Sequence, residues 1–88
     1  MFTTYVIKSV STDKIYIGQA EDFEKRLKRH NKELSYNKKS YTAKNKGPWK
    51  LVYKEVFKTR TEALKREKYL KSHVGRDYIR LVIKATGL

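Results

Sequence analysis

The sequence predicts an α+β fold: a small three-stranded, mainly antiparallel β-sheet flanked by helices, in the order ββαβαα. Three observations carry this expectation. Residues 2–10 and 14–18 are rich in β-branched and aromatic residues, and Ser11-Thr12-Asp13 between them suits a turn. A charged segment with Phe23 and Leu27 at helical spacing follows, and a third strand-like run opens at Trp49. The C-terminal part then returns to helical spacing of its apolar residues. Strands that come first and helices that gather later describe an α+β layer rather than alternating βαβ units.

The first two runs read as a hairpin. If Tyr5 lies opposite Tyr16, both rings share one face of the sheet, but a one-residue slip would separate them, and the register is open at this level. A first helix is expected over 21–32, because Phe23 and Leu27 make one stripe and Glu21, Asp22 and Glu24 complement the dipole at its N-terminus. Residues 33–48 read as a long loop with a Gly47-Pro48 break. The third strand spans 49–57, with Leu51, Tyr53 and Val56 as apolar members. A second helix starts after Thr59 or Thr61, without a complete capping box, and runs to about Ser72. Gly75 is expected to break it, and a last helix takes Asp77 to about Lys84, presenting Tyr78, Ile79 and Val82. With no repeat and no composition shift, residues 1–88 are expected to form one domain.

At 88 residues the chain is near the lower limit for a self-sufficient core, and it has no cysteine, so disulfides and thiolate metal sites are excluded. The longest apolar runs are a few residues long, which excludes a transmembrane helix, and the N-terminus lacks a secretory pattern. A cytoplasmic location is the default expectation. Lys plus Arg total 22 against 9 acidic residues, a net charge of +13. A solvated surface accounts for a few lysines; an excess this large on a short chain points to a polyanionic partner, nucleic acid. A membrane surface is disfavoured, because no helix combines a basic face with a broad apolar one.

The second helix holds the sharpest chemical signal. Ala63, Leu70 and Val74 mark an apolar stripe, and Glu67 falls in the middle of it, four residues after Ala63 and three before Leu70. An inward carboxylate is costly unless paired, hydrogen-bonded or metal-bound. Glu67 is therefore either salt-bridged to a neighbouring cation or a lone metal carboxylate, an arrangement magnesium-type ions accept because they keep several waters. On the first helix Arg26 and His30 are four apart and point the same way, at the border of the Phe23–Leu27 stripe. Tyr5, Tyr16, Arg26 and His30 are each ordinary alone; their joint order and spacing carry the specificity.

That order resembles the GIY-YIG nuclease superfamily. Tyr5-x-Ile7-Lys8, then Lys14-x-Tyr16-Ile17-Gly18, then Asp22-Phe23-Glu24-Lys25-Arg26-x-Lys28-Arg29-His30 is similar to the family pattern. Pro48-Trp49-x-Leu51-Val52-Tyr53, followed by Glu62-Ala63-Leu64-x-Arg66-Glu67-x-x-Leu70-Lys71-Ser72, looks like its small standalone members, related to the catalytic domains of UvrC and homing endonucleases. The first tripeptide of the family motif is Thr3-Thr4-Tyr5 here, and no asparagine follows Asn45.

The resemblance implies a metal-dependent endonuclease that hydrolyses phosphodiester bonds in DNA, more than RNA, with Mg2+ or Mn2+ as cofactor. In that reading Glu67 holds the metal, Tyr5 or Tyr16 positions or deprotonates the attacking water, His30 is a candidate general base and Arg26 stabilises charge on the phosphoryl oxygens. Lys25, Lys28 and Arg29 on the first helix, with Lys38, Lys39, Lys44 and Lys46 in the loop, are the expected nucleic-acid contacts. Tyr36 and Tyr41 add rings able to stack on bases. The rival from another class is a non-catalytic basic nucleic-acid-binding module on the same fold, and a third reading is a structural RNA-associated protein.

Overall fold

The computed structural model describes residues 1–32, 41–45 and 47–86. β1 (Phe2–Ser9) is the central strand, with β2 (Ile15–Ala20) antiparallel on one side and β3 (Trp49–Phe57) antiparallel on the other. Central placement explains why Thr3 through Ile7 are all buried. The hairpin closes through Ser9 N–H donating to the Lys14 carbonyl (2.8 Å) and Asp13 N–H to the Ser9 carbonyl (3.0 Å). Asp13 takes the left-handed conformation, φ 63°, which aspartate tolerates better than most residues.

Tyr5 pairs with Gly18, and Tyr16 pairs with Ile7. The tyrosines are therefore diagonal neighbours on one face, not directly opposed. An irregularity between Val6 and Ile7 sets Val6 against Tyr53 and Ile7 against Leu51, leaving Val52 as the extra residue of a bulge.

α1 (Phe23–His30) is shorter than the 21–32 expected. The Asp22 carboxylate accepts from Lys25 N–H (3.1 Å), so Asp22 caps the helix instead of joining it. The segment expected to be all loop contains one helical turn, α2 (Tyr41–Lys44). Its anchors are tertiary, which is why no local pattern announces it: the Trp49 indole N–H donates to the Thr42 carbonyl (3.3 Å), and the Thr42 hydroxyl meets His30.

α3 (Arg60–Lys71) begins at Thr59, whose hydroxyl accepts from Glu62 N–H (3.2 Å) and donates to the Glu62 carboxylate (3.0 Å). Thr59 and Glu62 thus work as a cap pair where no complete capping box was expected. The break after α3 comes at Ser72, not at Gly75. The Ser72 hydroxyl closes α3 on the Tyr69 carbonyl (2.5 Å) and accepts from Gly75 N–H (3.2 Å) to open α4 (His73–Thr86). Gly75 is buried inside α4, where a Cβ would stand 2.1 Å from the Tyr69 carbonyl oxygen. It is needed for close helix–helix approach rather than for a stop. Val74, expected on the α3 stripe, instead begins α4 and is 62% exposed.

Helices cover both faces of the sheet. α1 lies on the face of Tyr5, Ile7 and Trp49, with Phe23 and Leu27 packed against them. α3 and α4 lie on the other, where Leu70 and Ile79 join Val6, Ile17 and Val52. Leu70 and Ile79 are fully buried, each stabilising the fold by about 1.5–3 kcal/mol. A buried hydrogen bond from the Thr4 hydroxyl to the Ala63 carbonyl (2.7 Å) pins α3 to β1. Among the described residues no helix is long and apolar enough to cross a membrane.

Candidate active site

Tyr5 reaches from the central strand across the edge strand β2. A Cβ on Gly18 would meet the Tyr5 hydroxyl at 2.9 Å and Cε2 of Tyr16 at 2.9 Å, so glycine leaves the space the two rings occupy. The ring centroids of Tyr5 and Tyr16 are 6.2 Å apart, with Phe23 packed 5.1 Å from Tyr5. Tyr5 is completely buried and Tyr16 half-buried.

His30, at the end of α1, closes this group from above. It is buried, with Nε2 2.8 Å from the Tyr5 hydroxyl and Nδ1 2.6 Å from the Thr42 hydroxyl. Burial, helped by the charge of Arg26, pushes its pKa down to about 4. The imidazole is therefore neutral at neutral pH, donating through one nitrogen and accepting through the other. Asn31 fixes the position of this helix end: its side chain donates to the Trp49 carbonyl (3.0 Å) and accepts from Trp49 N–H (2.6 Å).

Arg26 lies one turn before His30 and is half-buried. Burial disfavours its charge, but hydrogen bonds with the Tyr5 and Tyr16 hydroxyls outweigh that and hold it protonated more firmly than a free arginine. Its Nε is buried and, among the described residues, has no hydrogen-bond partner. For Tyr5, burial and then Tyr16 raise the pKa, Arg26 opposes them, and the charge of Glu67 raises it further. Tyr5 thus keeps its proton at neutral pH.

That effect of Glu67 sets its carboxylate within electrostatic reach of Tyr5. α3 packs across both β1 and β2, and Glu67 projects between the fully buried Ala63 and Leu70. Its side chain is 20% exposed and accepts from Lys71 at 3.0 Å. Among the described residues no three His, Cys, Asp or Glu side chains gather into a metal cluster. Glu67, paired with Lys71, is a single carboxylate that would suit a magnesium- or manganese-type ion keeping most of its waters, and it does not fit the multi-ligand sites of zinc or calcium.

The structure thus gathers Tyr5, Tyr16, Arg26 and His30, with Glu67 approaching from the opposite layer. Lys25 and Arg29 line a groove of about 320 Å³ with Arg26, Gln19 and Arg60. Lys28 and Lys44 are exposed but lie outside that groove. Lys38, Lys39, Lys46 and Tyr36 lie outside the described residues, and Tyr41 opens α2. Thr42, Asn31 and Arg60 went unsuggested by the sequence. Asn31 follows a helical pattern directly, a C-terminal signal that was there to be read. Nothing local marks Thr42.

A family model described as the GIY-YIG catalytic domain matches residues 1–79. The chain is 36% identical over 78 residues to UPF0213 proteins of Staphylococcus aureus strains Mu3, Mu50 and N315, covering 89% of this chain and 89% of each relative. No solved structure is a significant match.

Proposed function

The chain belongs to the GIY-YIG catalytic-domain family, and on that premise we propose that it is a divalent-metal-dependent endonuclease hydrolysing phosphodiester bonds in DNA. The observation that carries the reading is the gathering of the Tyr5 and Tyr16 rings around the Arg26 guanidinium, with the Glu67 carboxylate near enough for its charge to act on Tyr5. A module that only binds nucleic acid gains nothing from a half-buried carboxylate there, because it repels phosphate and is costly to desolvate.

Glu67 would hold one Mg2+ or Mn2+, and the bound ion would supply Lewis-acid stabilisation of charge on the phosphate. Arg26, whose charge is secured by the tyrosine hydroxyls, neutralises charge developing on the phosphoryl oxygens. Tyr16, the less buried tyrosine, meets the attacking water. Tyr5 stays protonated behind it and ties Arg26 to His30, so His30 acts through Tyr5 rather than on water directly. Lys25, Lys28, Arg29 and Lys44, with Lys38, Lys39 and Lys46 of the connecting segment, hold the DNA backbone. Residues 1–88 act as one domain. Cutting of this kind serves DNA repair, recombination or the processing of unusual DNA structures, in the cytoplasm.

Glu67→Ala is expected to lower Mg2+-dependent nicking of supercoiled plasmid by about 10³-fold or more while leaving metal-free, salt-sensitive DNA binding nearly intact. Equal cleavage by wild type and variant would sink the proposal. No cleavage by wild type with either metal would favour the binding module instead.

A further inference from the structure

The buried imidazole of His30 stands between two hydroxyls, with Tyr5 2.8 Å from Nε2 and Thr42 2.6 Å from Nδ1. One comes from the central strand and the other from the single turn of α2, and both residues are buried. A neutral imidazole carries one N–H, so one hydroxyl accepts from the ring and the other donates to it. That choice decides where the proton of Tyr5 points.

Arg26 favours one direction. A guanidinium only donates, so its hydrogen bond with Tyr5 ends on the phenol oxygen. If His30 Nε2–H donated there too, the oxygen would take two donors, and the Tyr5 proton would need a further acceptor in a fully buried place. The reverse arrangement gives every group a partner. Arg26 donates to Tyr5, Tyr5 O–H donates to Nε2, and Nδ1–H donates to the Thr42 oxygen. Thr42 is then the outer acceptor of a chain that reaches Arg26 through His30 and Tyr5.

The fold holds Thr42 in place for this. The Trp49 indole N–H donates to the Thr42 carbonyl (3.3 Å), and the Trp49 backbone exchanges two hydrogen bonds with the side chain of Asn31, the residue after His30. Trp49 is itself buried, so one anchor fixes both the ring and its hydroxyl partner.

We infer that Thr42 is a positioning residue of the proposed nuclease site: it holds His30 in the Nδ1–H tautomer, which turns the Tyr5 proton to His30 and the Tyr5 lone pairs to Arg26. Its part in cleavage rests on the nuclease reading; the tautomer does not. Without the Thr42 hydroxyl, Nδ1–H loses its acceptor, the ring is free to change tautomer, and Tyr5 no longer orients the guanidinium.

The test is a long-range ¹H–¹⁵N correlation of the histidine rings in the full chain at neutral pH, without metal or DNA. The chain has two histidines, and the side chain of His73 is 90% exposed, which separates the two signals. Wild type is expected to carry the His30 proton on Nδ1; a proton on Nε2 would overturn the inference whatever the variants do. Thr42→Val removes the hydroxyl and Thr42→Ser keeps it, with thermal melting to verify folding. Thr42→Val is expected to mix the tautomers and to lower kcat for plasmid nicking about 10-fold or more, with KM within about twofold of wild type. Thr42→Ser should restore the single tautomer and most of the rate. An unchanged tautomer in Thr42→Val, or an equal loss of kcat in both variants, would also overturn the assignment. If the tautomers behave as expected but wild type never cleaves DNA, the hold of Thr42 on His30 stands and the nuclease reading alone fails.

Discussion

Two arginines sit among tyrosines in this protein, on opposite sides of the sheet, and they do different things. On the α3–α4 side, Arg66 Nε–H donates to Glu55 Oε2 at 2.6 Å, and the Tyr53 hydroxyl donates to the same oxygen at 2.7 Å. The guanidinium lies over the Tyr69 ring at 4.8 Å and near Tyr78 at 5.9 Å. Burial, with the bond to Glu55, pushes Tyr53 up to about 12. On the α1 side, Arg26 has the tyrosine hydroxyls but, among the described residues, no paired carboxylate, and its Nε has no partner. The residue types are nearly the same. The carboxylate in contact makes the difference: with it the arginine is neutralised and serves as a clamp, and without it a desolvated cation faces the site and suits an incoming anion.

The largest expected effect tests that contrast directly. Arg26→Ala should lower plasmid cleavage by about 10²–10³-fold with little change in melting temperature. Arg66→Ala should do the reverse, losing about 1–2 kcal/mol in urea unfolding with cleavage by the folded protein unchanged. If both variants lose activity in proportion to stability, the two clusters have the same role.

Each side also depends on a glycine. Gly75→Ala drives a methyl into the backbone of Tyr69 and Leu70, which cannot swing away, and should cost about 3 kcal/mol or more. Gly18→Ala meets ring atoms at the far ends of Tyr5 and Tyr16, which can shift, so calorimetry should find a smaller loss of stability. Cleavage should fall more for Gly18→Ala than for Gly75→Ala, because the displaced rings belong to the site.

The pH dependence separates the sides further. The folded pKa of His30, about 4, lies below its ordinary 6.5, so the unfolded chain binds the extra proton first as pH falls. The contribution is complete above pH 6.5 and is lost progressively down to pH 4, on the order of 3 kcal/mol across that window. Urea titrations of His30→Gln should show a shallower decline there than wild type; parallel curves would mean that His30 is not held neutral. The smallest effect is Thr59→Ala, which should cost about 1 kcal/mol of stability through the lost cap and leave cleavage untouched.

Most of the fold was legible because its signals are local. The two β-branched runs around Ser11-Thr12-Asp13 and the run from Trp49 to Phe57 became strands close to their expected bounds. The misses arise where one residue type serves two purposes. Gly75 reads as a breaker from sequence, but its missing Cβ accommodates α3 against α4, and Ser72 ends the helix by capping both sides. α2 was invisible because Trp49 and His30, distant in sequence, anchor it.

By itself the sequence determined the fold class, the strongly basic charge and the position of Glu67 between Ala63 and Leu70, since composition and helical periodicity need no knowledge of packing. Only the tertiary structure decided that Tyr5 crosses Gly18 to reach Tyr16, that His30 is enclosed between Tyr5 and Thr42, and that the charge of Glu67 reaches Tyr5 from the opposite layer. The register of β2 on β1 and the packing of α3 across both strands settle these contacts; the first is set by how the hairpin turn closes, the second by contact between segments far apart in the chain.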